Sequence, residues 1–168
     1  MATLNELPVA PEETVFNGLL SILRSNPDLQ KANVKIFSLS NGAENTPAVQ
    51  PIPSPDLMPV IRVRCGSYPM AQWTEHQHRG VWTIYLEMFV AGLDETDMLR
   101  LFSAVRHALR PAVKYGTDDV RPRMDPNSSI VQHAEFGGGS NDIVAVGEGV
   151  YAIKSIATFR IKIQVNAA

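Results

Sequence analysis

The sequence predicts an α+β domain: a mostly antiparallel sheet of about five strands with two helices packed on one face. Three observations carry that expectation. In residues 80–91, Trp82, Ile84, Leu86, Met88 and Val90 alternate onto one wholly apolar face, against a mixed face of Val81, Thr83, Tyr85, Glu87 and Phe89. The period then changes, and Met98, Leu101, Phe102, Val105 and Leu109 form a single helical stripe. Near the end of the chain, Phe159, Ile161, Ile163 and Val165 again alternate with Thr158, Arg160, Lys162 and Gln164. A strand with one dry face beside a helix with one apolar stripe buries both when they stack as layers.

The other elements follow in order. Pro11 followed by Glu12, Glu13 and Thr14 opens a helix, with proline in the first turn and acids at the positive end of the dipole. Val15, Phe16, Leu19, Leu20, Ile22 and Leu23 supply its apolar side, and Asn26-Pro27 ends it or restarts it as a short extra turn. Residues 34–40 alternate as a first strand. Pro47, Pro51, Pro53, Pro55 and Pro59 make residues 41–58 a long extended loop, because each proline removes a donor and biases its predecessor away from helix. Residues 60–65 form a second, half-buried strand, with Ile61, Val63 and Cys65 opposite Arg62 and Arg64. Residues 66–79 are long for a hairpin turn and are expected to project as a flap. Asp94 caps the second helix with Asp97 at its third position, and Pro111 stops it after Arg110. Residues 112–142 are a third long loop. Two strands close the chain, residues 143–153 with a bulge or bend at Gly147 and Gly149, then residues 155–165. All 168 residues form one domain, long enough to bury about 70% of the unfolded surface.

Composition sets limits without naming an activity. A formal net charge of −2 supplies no general attraction for nucleic acid or acidic membranes. The single cysteine, Cys65, cannot form an internal disulfide. The first residues lack the basic and apolar regions of a secretory signal, and no apolar run approaches the roughly 18 residues of a membrane span.

Each candidate for chemistry has a plainer reading beside it. His76 and His78 on a strand would point the same way and could share a metal, given a third ligand. A solvated polar loop is the simpler reading. Gly137-Gly138-Gly139-Ser140 lacks the preceding strand and following helix of a phosphate cradle, and reads as a flexible connector. Cys65 reads as a buried structural thiol. Asp118, Asp119 and Asp125 are interleaved with Arg121 and Arg123, whose ion pairs compete with a cation site. Arg62, Arg64, Arg100, Arg106, Arg110 and Lys114 are spread over different elements and make no nucleic-acid stripe. No nucleophile–base set, dinucleotide fingerprint or zinc spacing is present, so the expectation is no enzyme, no cofactor and no metal. A sound core bearing three long loops points instead to an assembly component, since partners can offset the entropy of ordering such segments.

Several segments together resemble the tail terminator (tail completion) proteins of long-tailed bacteriophages. They are residues 58–66, with Met58-Pro59-Val60-Ile61-Arg62; the bridge from Trp73 through His76 and His78 to Arg79; the strand 83–92; and the helix 99–109. The opening amphipathic helix and the closing strand 155–163 suit the same plan, while the proline-rich insert and residues 112–142 are longer than it requires. The resemblance implies a virion structural protein, made in the host cytoplasm, that forms a hexameric ring on the head-proximal end of the tail tube. Its partners would be further copies of itself, the tail tube protein and the neck or connector protein, with no membrane and no sequence-specific nucleic acid. The ring contacts are expected to involve Arg62, Arg64, Tyr68, Trp73, His76, His78, Asp118, Asp119, Arg121 and Arg123. Tyr68 and Trp73 are the expected anchors, because aromatic residues dominate interface energy. Another neck or head-closure adaptor has the same general construction, and a metal-dependent small enzyme using His76 and His78 stands as a distant third.

Overall fold

A computed structural model of the chain describes residues 4–38, 51–66, 70–110, 124 and 131–166. Among the described residues the elements run in the order α1 (Pro11–Ser25), α2 (Pro27–Lys31), β1 (Lys35–Ser38), β2 (Val60–Cys65), β3 (Met70–Thr74), β4 (Gln77–Ala91), α3 (Glu95–Ala108), β5 (Val131–Phe136), β6 (Ser140–Gly147) and β7 (Val150–Asn166), the strands forming one seven-stranded sheet. The architecture is α+β, with a mostly antiparallel sheet and its helices on one side.

At its centre, β4 and β7 pair antiparallel without interruption from Gln77↔Asn166 to Ala91↔Ala152. The remaining strands are shorter and share the two flanks of this ribbon. Along β4, β2 pairs with residues 84–89 and β3 with residues 77–80. Along β7, β6 covers residues 150–156 and β5 residues 159–163. Strand β1 adds outside β2 in parallel. Seven strands thus occupy five positions across the sheet, and the expected count of about five left out β3 and β5, which lie in segments read as loops.

The core forms where the sequence places it. Trp82, Ile84, Leu86, Met88 and Val90 join Ile153, Ala157, Phe159, Ile161 and Ile163 on the inner face, under α1 and α3. Val15, Phe16, Leu19, Leu20, Ile22 and Leu23 come down from α1, and Met98, Leu101, Val105, Ala108 and Leu109 from the α3 segment. The Phe16 and Trp82 rings lie 6.1 Å apart, and Phe102 of α3 meets Phe136 of β5 edge-on at 5.0 Å.

Local chemistry closes the helices as expected. Asp94 Oδ1 accepts from the Thr96 amide at 2.9 Å and caps α3. Asn26 Oδ1 accepts from the Asp28 and Leu29 amides, both at 3.1 Å, so Asn26-Pro27 ends α1 and starts α2.

Three expectations need correction. The segment expected as a long link is itself paired from residue 70 on: β3 and β4 form a hairpin, with Thr74 paired to Gln77 across a two-residue turn at Glu75-His76. The expected strand 143–153 is two strands, because Gly149 at φ +68° makes a turn and Gly147 pairs with Val150. What lies beyond that turn is one strand of 17 residues, β7, which absorbs the separately expected 155–165. Finally, the third long loop, 112–142, holds β5 and the start of β6. Most of its residues before 131, and residues 41–50 of the proline-rich loop, lie outside the described residues.

The glycine run between β5 and β6 is likewise no loose connector. The Gly137 amide donates to the Thr158 carbonyl at 2.7 Å. A Cβ on Gly137 would meet the Thr158 hydroxyl, and one on Gly139 would lie 2.5 Å from the Ile156 carbonyl oxygen, whereas Gly138 faces open space. The bare backbone lets the link between two strands stay against their common partner, β7. Gly139→Ala should therefore destabilise the fold by about 1–3 kcal/mol, as an overpacked site does. Gly138→Ala should stay within about 0.5 kcal/mol of the parent. Urea unfolding of the two variants measures the contrast.

Candidate functional site

Because side chains alternate along a strand, the pairing that places the core on one face also defines the opposite face. There Phe89, Glu87, Tyr85, Thr83 and Val81 of β4 stand beside Lys154, Ile156, Thr158, Arg160 and Lys162 of β7. From β2 come Val60, Arg62 and Arg64. This outer face divides into a covered end and an open part.

At the covered end, Val60 and Phe89 are fully buried although they lie outside the main core. Pro53 is buried, and the Pro51 carbonyl accepts from Arg62 Nη2 at 3.2 Å, so the proline-rich segment lies over this end of the sheet. Beneath it, Arg62 Nε and Nη2 donate to Glu87 Oε2 at 3.1 and 2.5 Å. Arg64 Nε approaches Glu87 Oε1 at 3.1 Å. The Arg62 guanidinium also stacks over the Phe89 ring, 4.9 Å from its centroid. One carboxylate thus serves two arginines, one sealed at 2% exposure and the other partly in solvent.

The open part carries Val81, Tyr85 and Ile156, each about two-fifths exposed, among Arg64, Arg79, Arg160 and Lys162. Arg79 Nε donates to Gln164 Oε1 at 2.6 Å, and Arg160 Nη1 pairs with Glu135 Oε1 at 3.2 Å. By strand register, the whole outer face carries Lys35, Arg62, Arg64, Arg79, Lys154, Arg160 and Lys162, seven cations. Opposing them are the three carboxylates Glu87, Glu135 and Asp142, leaving a formal excess of four positive charges. The rest of the described residues hold five Lys or Arg and ten Asp or Glu, an excess of five negative charges. The modest net charge of −2 conceals this separation.

The expected site residues fare unequally. Arg62 is a correction: its guanidinium is used up inside the chain on Glu87 and Pro51, so it does not face a partner. Arg64 remains accessible at the border of the open face. His76 lies in the β3–β4 turn and His78 on β4, so the shared strand face required for a common metal does not form. Among the described residues, no three His, Cys, Asp or Glu side chains gather into a group that could hold a metal ion. The backbone of Trp73 lies where the β3–β4 register shifts, between Gln72 and Thr74. Tyr68, Asp118, Asp119, Arg121 and Arg123 lie outside the described residues.

Cys65 is a further correction. It shares the inner face with Ile61 and Val63, yet it is exposed because it lies at the strand's end. Its surroundings still desolvate the sulfur and push the thiol pKa up.

Sequence reasoning missed Lys154, Arg160 and Lys162 as site residues, together with Val81, Tyr85 and Ile156. The alternation of residues 158–164 already signals which of them share a face. Joining them to Tyr85 and Val81 requires the β4–β7 register, which no local pattern supplies. Compared with family models and with curated proteins, the chain matches none.

Two outcomes follow. Glu87→Ala leaves Arg62 buried without its counter-charge and should cost about 3–5 kcal/mol, whereas Arg64→Ala, at the exposed arm, should cost about 1 kcal/mol or less. Denaturant titration compares them. For Cys65, a raised pKa means less thiolate at neutral pH. Iodoacetamide should therefore label it more slowly than it labels glutathione at pH 8, with the rate climbing as pH rises further; mass spectrometry over a pH series reads this out.

Proposed function

We propose that this chain is a tail terminator of a long-tailed bacteriophage. In this reading it is a structural protein of the virion, without a catalytic or cofactor step. Copies of it form a ring, hexameric by the resemblance, on the head-proximal end of the tail tube, where they stop tube growth and dock the neck or connector.

The observation that carries the reading is the separation of surfaces on so small a sheet. One face is spent on the core, while the other keeps a broad open area of basic, aliphatic and aromatic side chains. Such a surface suits protein contact, since it joins exposed apolar area to charges that select a partner. The order of elements supports the same reading: a helix, then strands, a helix and strands again, in the segments that carry the resemblance. A closed ring needs two different patches per subunit, joined head to tail. The basic sheet face and the acidic start of α3, with Asp94, Glu95 and Asp97, offer two such unlike patches.

The test is tube capping. Tail tube protein is polymerised with and without the purified, gold-labelled chain, and the tubes are measured by electron microscopy. Shortened tubes labelled at one end are the expected result. Label confined to purified connector, with tube length unchanged, would replace this reading with that of a neck or head-closure adaptor.

A further inference from the structure

The charge separation described above also names what the open sheet face binds. We propose that it docks the α3 corner of a second copy of this chain, the corner where β4 turns into α3. The proposal deepens the ring reading and rests on it for the ring, but not for the contact itself.

The corner is built by one tie. The Gly92 amide donates to the Tyr151 carbonyl at 2.9 Å, which holds the β6–β7 hairpin beside the start of α3. Leu93, Leu99, Val150 and Tyr151 are exposed there at 56%, 61%, 47% and 43%. They stand among four acids, Asp94 at the N-cap of α3, Glu95 and Asp97 in its first turn, and Glu148 in the hairpin turn; Arg100 pairs with Asp97 at 3.4 Å and leaves the corner an excess of three negative charges. The open sheet face has the complementary character, with Val81, Tyr85 and Ile156 exposed among Arg160, Lys162 and Arg64. Each surface carries apolar area that water leaves unsatisfied and a charge opposite to the other's.

Geometry forbids one chain from satisfying both. The face lies over the middle of β4 and β7, and the corner lies past their Ala91 and Ala152 end. A contact between them therefore joins different copies, uses unlike patches, and repeats until it closes or runs on as a filament. A nucleic acid is the less suitable occupant of the face. Glu135 and Asp142 interrupt its cations and would repel phosphate, and Tyr85 is a single exposed ring among aliphatic side chains, where stacking successive bases takes several.

Charge reversal on the two sides tests the contact with the full chain. Arg160→Glu with Lys162→Glu reverses the face; Glu95→Lys with Glu148→Lys reverses the corner. Sedimentation velocity at low salt should show the parent self-associating, and each double variant weakened by about tenfold or more. Mixing the two variants should restore association, because each reversed face then meets a reversed corner. That restoration also shows that both variants are folded. Raising salt should weaken the parent's association. A parent that stays monomeric at high concentration and low salt overturns the contact, as does a variant that associates like the parent, or a mixture of weakened variants that fails to recover. A monomeric parent that binds DNA through Arg160 and Lys162 assigns the face to phosphate instead, and overturns it too. Tube capping by the parent is read separately, so the terminator reading can stand or fall without this contact.

Discussion

The uninterrupted pairing of β4 with β7 is the constraint on which the rest of the molecule depends. Fifteen residues of each strand pair in one register. A slip of a single residue would turn Trp82, Ile84, Leu86 and Met88 out of the core and bring Glu87 and Tyr85 in. The inner row is dry and lies under α1 and α3, so the energy of burying it selects the register. Everything shorter then attaches to one flank or the other of this ribbon. That explains how five strand positions accommodate seven strands, and why the glycine run between β5 and β6 must approach β7 so closely.

The same register has a second consequence, because it decides the composition of the outer face. Glu87 is brought opposite Arg62, and one end of that face becomes a sealed polar cluster under the proline-rich segment. A lone arginine buried there would be strongly unfavourable; two arginines sharing a carboxylate, with a ring beneath one guanidinium, are tolerable. Beyond the sealed end, Tyr85, Val81 and Ile156 stay open among cations. The fold therefore separates a structural use of charge from one available to partners, within a few residues of the same strands.

Much of the fold was legible because it is local. The alternation in residues 80–91, the helical stripe from Met98 to Leu109 and the caps at Asn26 and Asp94 each declare themselves within one or two turns of chain. Gly149 misled because a glycine in an alternating run can mark a bulge or a turn, and only the pairing of Gly147 with Val150 distinguishes them. Cys65 misled because sharing a face with Ile61 and Val63 says nothing about whether the helix layer reaches that far. Arg62 looked like a surface residue for a related reason: alternation assigns it to the outer side, but not to the segment that covers it.

What the sequence by itself determined is the kind of each element and which side chains share a face, since both follow from backbone periodicity and from capping within a few residues. The tertiary structure alone decided which faces meet. It placed Glu87 against Arg62 and Arg64, closed the hairpins at residues 75–76 and 148–149, set Lys154 over Phe89, and brought Arg160 and Lys162 onto one face with Val81 and Tyr85. Those partners lie tens of residues apart in the chain. Their meeting is set by the collective burial of the inner sheet face, a sum over the whole core that no local stretch contains.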